Sequence, residues 1–217
     1  MKKLGLYIAT VILFMGCANG QTSDKNSFAA VPKAAAGEQV ATFGGGCFWS
    51  MQEAVSELKG VSKVVSGYAG GKTKNPSYEE VGSLKTGHAE VVQVYYNPKV
   101  ISYATLVEGF FAAHDPTTLN RQGPDVGTDY RSIAFYRNEA EKNTIVAVVK
   151  KVNESKHFAN PVVTQVVPFT AFYPGEKYHQ GYYRTNGDNP YIGSVSQPKV
   201  MKFRKAMKAD LKPEFQK

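Results

Sequence analysis

From residue 38 onwards the apolar residues form two kinds of pattern, strand-like runs and helical spacing. The order of these patterns along the chain predicts the order of the strands and helices. Four runs rich in β-branched and aromatic residues predict strands: QVATF, VSKVVSGYAGG, HAEVVQVYYNP and RSIAFY. Helical spacing follows the first run, as far as a stop at Gly60, and follows the third run, where Ser102 can cap the helix. The predicted order is therefore βαββαβ.

This order is that of the split-βαβ, ferredoxin-like fold, an α+β two-layer sandwich whose mainly antiparallel sheet is covered by helices on one side. Further along the chain a helix is predicted from about Asn138, and Pro168 marks a later run as an edge segment. The spacing of Val200, Phe203 and Met207 predicts a terminal helix. We expect a ferredoxin-like core with an additional C-terminal helix and coil.

Residues 1–16 have the pattern of a secretion signal, with two lysines, an apolar run of about a dozen residues and small residues at its end. The run is too short to span a bilayer well. Cys17 follows in the sequence FMGC, which resembles the bacterial lipobox, where the cysteine is lipidated and becomes the mature N-terminus. We expect an exported lipoprotein that faces the periplasm or the cell surface. The alternatives are cleavage after Gly20, which leaves a soluble periplasmic protein, and a retained membrane helix.

Residues 17–37 are expected to join this anchor to the folded domain. From residue 21 to residue 37 the chain is polar and rich in alanine without sustained periodicity, which predicts a flexible linker. A flexible segment of this length spans roughly 20 to 25 Å, enough to hold a domain clear of a membrane surface. The predicted organisation is a signal peptide over 1–16, an anchor cysteine with linker over 17–37, and a folded domain over 38–217.

The formal net charge is +8 for 217 residues, and two of the lysines would leave with the signal. The remaining basic residues are scattered, without a run of five or six and without a nucleic-acid motif. They therefore predict a solvated basic surface. We expect a monomeric protein without a nucleic-acid partner.

Cys47 is the only thiol of the predicted domain, because the chain contains two cysteines and the other is Cys17. A disulfide within the domain is therefore impossible, and four widely separated histidines give no metal-ligand spacing. Cys47 follows three glycines and starts a predicted helix, where the partial positive charge favours the thiolate. We expect either a nucleophilic thiol with a lowered pKa or, alternatively, an inert residue of the core.

Six motifs follow one another between Gly44 and Tyr183: GGGCFW, GYAGG, NPSYEEV, TGHAEVVQVYYNP, HDPTTLNRQGPDVGTDYRS and YHQGYY. Together they resemble the A-type peptide methionine sulfoxide reductases. The resemblance implies a thiol-dependent enzyme that returns the S epimer of methionine sulfoxide, free or in peptides and proteins, to methionine. It also implies that no cofactor is bound. Together with the predicted export of the protein, it implies that the enzyme repairs oxidised exported proteins.

The resemblance assigns catalytic roles to four residues. Cys47 attacks the sulfoxide sulfur, Glu90 protonates the sulfoxide oxygen, and Tyr78 and Tyr130 hydrogen-bond that oxygen. These residue types suit the reaction, because the sulfoxide sulfur is a poor electrophile until its oxygen is protonated or hydrogen-bonded. Glu90 lies on a predicted central strand, so we expect burial to raise its pKa.

The resemblance assigns three further residues to substrate binding. Phe48 and Trp49 would enclose the methyl group of the substrate, and Asp125 would be a carboxylate at the site. An aromatic face suits a polarised methyl group beside sulfur, whereas Asp125 could merely brace its loop. His179 and Tyr182 lie in a family motif, but the sequence assigns them no chemical step.

The chain departs from the commoner family pattern in how the nucleophile is recycled. Many members carry one or two cysteines near the C-terminus that form a disulfide with the nucleophile, but no cysteine follows Cys47 here. The sulfenic acid on Cys47 must then be reduced by an external thiol, such as a thioredoxin-like protein, or dithiothreitol in vitro. We expect oxidised proteins and peptides as substrates and a thioredoxin-fold donor as partner.

Two other functions compete with this one. A cysteine hydrolase or acyltransferase would need a histidine base beside Cys47, and His88 is the candidate. A non-catalytic surface lipoprotein with a reductase-like fold would fold normally and turn over no substrate. Incubation of the domain with a peptide methionine sulfoxide and dithiothreitol distinguishes the three functions.

Overall fold

The computed structural model describes residues 27–216, which form an α+β structure around a six-stranded sheet and a small hairpin. The strands are β1 Gln39–Gly44, β2 Val61–Ala69, β3 Ala89–Tyr96, β4 Arg121–Gln122, β5 Asp125–Val126, β6 Ile133–Tyr136, β7 Gln165–Pro168 and β8 Phe172–Pro174. The α-helices are α1 Phe48–Ser56, α2 Tyr78–Gly82, α3 Tyr103–Ala112, α4 Glu139–Glu154, α5 Tyr182–Thr185 and α6 Gln197–Ala206. The predicted strands and helices occur in the predicted order, and α2 and the β4–β5 hairpin are inserted between them.

The large sheet has the strand order β7-β6-β1-β3-β2-β8 and is mixed. Its neighbouring strands are antiparallel except for the parallel pair β6 and β7. β3 lies between β1 and β2, and all eight of its residues are buried, which confirms the expectation of a central strand. Glu90 at the start of β3 is paired with Tyr68 of β2.

The larger apolar core lies between one face of the sheet and the helices. Phe43 and Val92 from the sheet belong to the same buried cluster as Phe110 of α3 and Phe203 of α6. A smaller cluster that includes Val91 lies on the other face, because successive residues of a strand point to opposite sides. Glu90 is two residues before Val92 on the same strand, so its side chain lies on the same face of the sheet, which is the face covered by the helices.

The segment around Pro168 supplies both edges of the sheet. β7 pairs with β6 at one edge and ends at Pro168, and β8 pairs with β2 at the opposite edge. Proline has no N–H group for a further ladder bond, so its place at the end of an edge strand fits its chemistry. The predicted edge segment is confirmed, and it forms two short strands in place of one.

Residues 27–37 lie against the domain, which differs from the flexible linker that their composition predicted. Ala29 N–H donates to the carbonyl of Gly175, and Lys177 N–H donates to the carbonyl of Ser27. The Tyr95 hydroxyl donates to the carbonyl of Pro32. These bonds fix the backbone of the segment against the domain.

The signal peptide over 1–16 and Cys17 lie outside the described residues. Within residues 27–216, every helix is too short or too polar to cross a bilayer.

Candidate active site

The three glycines before Cys47 allow β1 to approach its neighbours closely and then turn into α1. A Cβ atom at Gly44 would lie only 2.7 Å from the carbonyl oxygen of Glu90. Gly46 has a φ of +87°, in the left-handed region that favours glycine, and a Cβ atom there would meet the Gln122 side chain at 2.7 Å. Cys47 follows as the N-cap residue of α1 and is buried.

Glu90 lies beside the start of α1. The backbone N–H of Phe48 donates a hydrogen bond of 2.9 Å to Oε2 of Glu90. Burial raises the pKa of Glu90 to about 8; the Phe48 N–H opposes this, and the negative charges of Asp129 and Asp125 add to it. The raised pKa agrees with the expectation from the sequence, and at neutral pH the carboxyl group of Glu90 is mostly protonated.

The expectation of a lowered pKa for Cys47 is wrong. Burial, followed by the negative charge of Glu90, raises the pKa of the Cys47 thiol well above its usual range. The backbone N–H of Trp49 and the Tyr191 hydroxyl lie close to the sulfur and lower the pKa of the thiol, but their effect is smaller than that of burial. The start of α1 does supply a backbone N–H near the sulfur, as expected, but desolvation raises the pKa by more than this group lowers it. In the free protein, Cys47 is therefore a thiol at neutral pH.

Tyr78 and Tyr130 share this site with Cys47 and Glu90. Burial raises the pKa of both tyrosines, and the charges of Glu90 and Cys47 raise both further. A hydrogen bond from Tyr130 lowers the pKa of Tyr78 without reversing the shift. Both hydroxyls therefore keep their protons and can act as donors. Glu176 fixes Tyr78 by accepting its backbone N–H at 2.9 Å.

Phe48 and Trp49 are the first two residues of α1, and their side chains have different environments. Phe48 is only 1% exposed, and its ring lies 4.8 Å from that of His179 between centroids. Trp49 is half-buried and stacks on Tyr182, with ring centroids 3.9 Å apart and an angle of 11° between the planes. Tyr191 meets the Trp49 ring edge-on at 5.8 Å. Trp49 is therefore the more accessible of the two aromatic groups.

His179 holds the indole of Trp49. Trp49 Nε1–H donates to Nδ1 of His179 at 3.1 Å. Burial lowers the pKa of His179 to about 4, so the ring is neutral at physiological pH and its proton lies on Nε2. That nitrogen lies 3.7 Å from Oε2 of Glu176, which is too long for a normal hydrogen bond.

Asp125 is connected to the Cys47 region of the site through the side chain of Tyr191. The Tyr191 hydroxyl donates to Oδ2 of Asp125 at 2.7 Å and lies within hydrogen-bonding reach of the Cys47 sulfur. Lys199 of α6 lies 3.5 Å from the same carboxylate oxygen. Asp125 therefore orients Tyr191 and contributes negative charge near the thiol, which also raises the pKa of Cys47.

The two other buried histidines, His88 and His114, are hydrogen-bonded to groups other than Cys47. His88 accepts a hydrogen bond from Gly71 N–H on Nδ1, and its Nε2 lies 2.7 Å from the carbonyl of Thr73. His114 uses its ring nitrogens for the Phe110 carbonyl and the Ser132 hydroxyl. Neither ring is available as a base for Cys47. Among residues 27–216, no three His, Cys, Asp or Glu side chains are grouped as metal ligands.

A family model described as peptide methionine sulfoxide reductase matches residues 39–211. The peptide methionine sulfoxide reductase MsrA of Chromobacterium violaceum is 48% identical over 165 residues, which cover 76% of this chain and 94% of that protein. The chain belongs to the A-type peptide methionine sulfoxide reductases. The reductase is thus an oxidoreductase that acts on the S-sulfoxide of peptide methionine.

Two solved structures from Saccharomyces cerevisiae are similar to the reductase. Reduced Mxr1 matches with a TM-score of 0.68 and 34% identity, over 72% of this chain and 91% of that chain. Mxr1 in complex with Trx2 matches with a TM-score of 0.50 and 26% identity, over 70% of this chain and 89% of that chain. The α+β fold of the reductase is therefore that of solved relatives.

The structure of the reductase brings the seven domain residues singled out from the sequence into one neighbourhood. Cys47, Phe48 and Trp49 lie at the start of α1, and Glu90 lies opposite them on β3. The other three lie on elements that the sequence did not predict: Tyr78 on α2, Asp125 on β5, and Tyr130 on the following turn at 128–130.

Sequence reasoning assigned no role to three site residues of the reductase. His179 and Glu176 lie in or next to the motif YHQGYY, so that motif was a usable signal without an assigned role. Tyr191 lies in no motif and is one of 13 tyrosines, so the sequence contained no signal for it.

Proposed function

We propose that Cys47 reduces methionine S-sulfoxide by direct attack on its sulfur while Glu90 protonates the oxygen. The observation that carries this proposal is the hydrogen bond from Phe48 N–H to Glu90, which holds a protonated carboxyl beside the nucleophile at the start of α1. The raised pKa of Glu90 supports its role as an acid, because a carboxyl that keeps its proton at neutral pH can donate it.

The chemistry balances with one thiol and one sulfoxide. A bond forms between Cys47 sulfur and the substrate sulfur as the substrate oxygen takes a proton from Glu90. The hydroxyl group then passes to Cys47 as the substrate sulfur–oxygen bond and the new sulfur–sulfur bond break, which leaves a thioether as product and a sulfenic acid on the enzyme. Cys47 is oxidised, the substrate is reduced, and the proton lost by the thiol restores Glu90.

Tyr78 and Tyr130 stabilise the oxygen as it gains negative charge. Their raised pKa values support this role, since both remain protonated donors in the same buried site. Glu90 in its neutral form also removes the repulsion that otherwise raises the pKa of Cys47. The form of Glu90 that can donate a proton is thus also the form that favours the Cys47 thiolate, so attack by the thiolate and proton donation to the oxygen are coupled.

The methyl group of the substrate lies against the aromatic start of α1. Trp49 supplies the accessible face, which Tyr182 supports by stacking and His179 by a hydrogen bond. Phe48 lines the deeper part of the site and packs on His179. Asp125 acts through Tyr191 and makes no bond to the substrate.

An external thiol returns Cys47 to its reduced state. Residues 48–217 contain no cysteine that could condense with the sulfenic acid. The first donor thiol forms a mixed disulfide with Cys47 and releases water, and a second donor thiol releases Cys47. A thioredoxin-fold protein is the donor that we propose, supported by the Mxr1 complex with Trx2. The enzyme itself holds no cofactor.

The enzyme acts outside the cytoplasm on oxidised exported proteins, as a monomer. The basic and apolar pattern of residues 1–16 and the FMGC sequence at Cys17 support export and lipid attachment. The catalytic domain then occupies residues 38–217. Mass spectrometry of the mature N-terminus tests this part: a lipid on Cys17 supports it, and an intact Met1 contradicts it.

The sheet belongs to the ferredoxin-like class. Its four central strands in the order β6-β1-β3-β2, paired antiparallel throughout, support this assignment. The parallel strand β7 and the strand β8 are then additions at the two edges.

The decisive experiment compares the wild-type enzyme with Cys47→Ser on a peptide methionine S-sulfoxide with dithiothreitol. Wild-type enzyme should release methionine peptide, measured by chromatography. The serine hydroxyl is a weak nucleophile, so the variant should retain less than about one percent of the activity. Substantial activity of the folded variant would contradict the role of Cys47.

A further inference from the structure

Asp125 has two partners at one of its carboxylate oxygens. The Tyr191 hydroxyl donates to Oδ2 at 2.7 Å, and Nζ of Lys199 lies 3.5 Å from the same oxygen. Both charged side chains are largely withdrawn from solvent, since that of Asp125 is 10% exposed and that of Lys199 is 21% exposed. The ammonium group therefore balances the charge of the carboxylate, but it lies beyond the normal length of a hydrogen bond.

One segment of the chain supplies both partners. Tyr191 directly precedes a π-helical turn, Ile192–Ser196, and Lys199 is the third residue of α6, which follows that turn. Turns of this kind are frequent at functional sites. Here the segment brings a hydroxyl and an ammonium group to a carboxylate that lies 66 residues before Tyr191 in the sequence.

The Tyr191 hydroxyl has two acceptors within reach but only one hydrogen to donate. Its oxygen lies within hydrogen-bonding reach of the Cys47 sulfur as well as of Asp125. A hydroxyl donates to one acceptor at a time, and in the structure that acceptor is Asp125. When Cys47 becomes a thiolate, the hydroxyl can donate to the sulfur only by releasing the carboxylate.

The release of Asp125 is unfavourable unless another group replaces the hydroxyl. A largely buried carboxylate is unstable without a donor or an opposite charge beside it. An ammonium group has three N–H donors on a flexible stem, so a small movement of Lys199 brings a donor within hydrogen-bonding range of Oδ2. Lys199 is therefore placed to replace the hydroxyl at the same oxygen.

We propose that Lys199 is a positioning residue that holds the Asp125 carboxylate when the Tyr191 hydroxyl turns from Asp125 to the Cys47 thiolate. Lys199 acts on the sulfur through Asp125 and Tyr191, and it favours the form of Cys47 that attacks the substrate. This inference rests on the proposed function, in which Cys47 is the nucleophile.

The test compares Lys199→Met with the wild-type enzyme, as full chains at pH 7, by two measurements. The first is the single-turnover rate constant with a peptide methionine S-sulfoxide. The second is the rate at which iodoacetamide alkylates Cys47, followed by mass spectrometry of the peptide that contains it, because the thiolate is the reactive form. Methionine has neither the charge nor the N–H donors of lysine, so both rates should fall roughly three- to tenfold.

An effect of the variant on Glu90 does not account for such a loss. The positive charge of Lys199 lowers the pKa of Glu90, whereas the negative charges of Asp129 and Asp125 raise it. Lys199→Met therefore raises this pKa further, and the carboxyl group remains protonated at pH 7. A slower reaction of the variant is then due to the thiol and not to the acid.

Three comparisons separate this role from a structural one. Lys199→Arg keeps the positive charge and the N–H donors, and it should restore both rates to within about twofold of wild type. Lys202→Met removes an exposed lysine one turn further along α6, whose Nζ lies 5.7 Å from the centroid of the Phe158 ring, and should leave both rates unchanged. In an Asp125→Asn background there is no carboxylate to hold, so Lys199→Met should change either rate less than about twofold.

Rates of Lys199→Met equal to those of the wild type, or an equal loss in Lys202→Met, would overturn the inference. The same loss in the Asp125→Asn background would also overturn it, because a direct effect of the charge on the sulfur persists there. A wild-type enzyme that forms no methionine peptide would instead refute the proposed function. The alkylation rates need no sulfoxide, so they would still decide whether Lys199 acts on the thiol.

Discussion

The backbone N–H of Phe48 and the carboxyl group of Glu90 are joined by a hydrogen bond of 2.9 Å, which connects the first residue of α1 to the central strand β3. The bond fixes the acid next to Cys47, the residue before Phe48. A hydrogen bond of this kind stabilises the ionised carboxylate, but complete burial of Glu90 has the larger effect and its pKa rises to about 8. The same contact therefore orients the acid and leaves its proton available.

Replacing Glu90 by glutamine should slow sulfoxide attack while substrate binding is retained. The amide keeps the shape and can still accept from Phe48 N–H, but it cannot transfer a proton. We expect the single-turnover rate constant of Glu90→Gln to fall roughly a hundredfold, the range of general acid catalysis. Rapid-quench measurement of methionine peptide formed by reduced enzyme gives this constant. A rate within threefold of wild type would contradict the assignment.

The single-turnover rate of the wild-type enzyme should also depend on pH. The pKa of Glu90 is raised to about 8, so its protonated, active form predominates below pH 8 and is lost as the pH rises through that value. The rate constant should therefore be nearly level between pH 6 and pH 7 and decline above about pH 8. Glu90→Gln serves as the control, because the decline should be absent from it.

Tyr191→Phe should weaken the activation of Cys47 without changing the fold. The variant removes a hydroxyl group that lowers the pKa of the Cys47 thiol, so this pKa rises further and less thiolate forms. It also leaves Asp125 with Lys199 as its remaining charged partner. We expect a single-turnover rate roughly tenfold lower and an unchanged Tm. Tyr136→Phe on β6 is the matched control, and equal rates for both variants would exclude a role for Tyr191.

The contribution of His179 to the position of Trp49 can be measured with a double-mutant cycle. His179→Phe removes the acceptor for Trp49 Nε1–H, so the indole is less firmly held and the KM should rise several-fold with a smaller effect on kcat. In a Trp49→Phe background there is no indole N–H to lose. The same histidine change should then have almost no further effect on KM, whereas additive effects would assign His179 a separate role.

Local patterns were sufficient to predict the main elements of this fold. The strands β1, β2, β3 and β6 have long runs of strand-forming residues, and α1 and α3 have clear apolar spacing, so each is specified by its own residues. The short elements α2, β4 and β5 have too few residues for a pattern. They are held by contacts with distant segments, such as the bond from Tyr78 N–H to Glu176.

The electrostatics of the site were predictable only where local structure determined burial. Glu90 is on a central strand, and a central strand is buried, so the direction of its pKa shift followed from the sequence. Cys47 gave the opposite result, because a helix start argues for a lowered pKa while burial and Glu90 raise it. Tyr191 contacts Cys47 from a segment far along the chain, which no local pattern reveals.

Recycling without a second cysteine leads to the last prediction. No cysteine follows Cys47, and the proposed export would join Cys17 to lipid or remove it with the signal, so an enzyme processed in this way has no second free thiol that can condense with a sulfenic acid. Reduced enzyme given excess substrate without a donor thiol should form one equivalent of methionine peptide and then stop. A dimedone-type reagent should trap Cys47 as its sulfenic acid adduct, detected by mass spectrometry.

Addition of a donor thiol should then restart turnover through an intermolecular mixed disulfide, because the sulfenic sulfur accepts a thiolate and releases water. The rate should increase with thiol concentration until another step limits. Cys47→Ser, treated in the same way, should give neither the first equivalent nor the adduct. Continued turnover without a donor would require an electron source other than Cys47. A first equivalent of product without any adduct would exclude the sulfenic acid as the resting oxidised state.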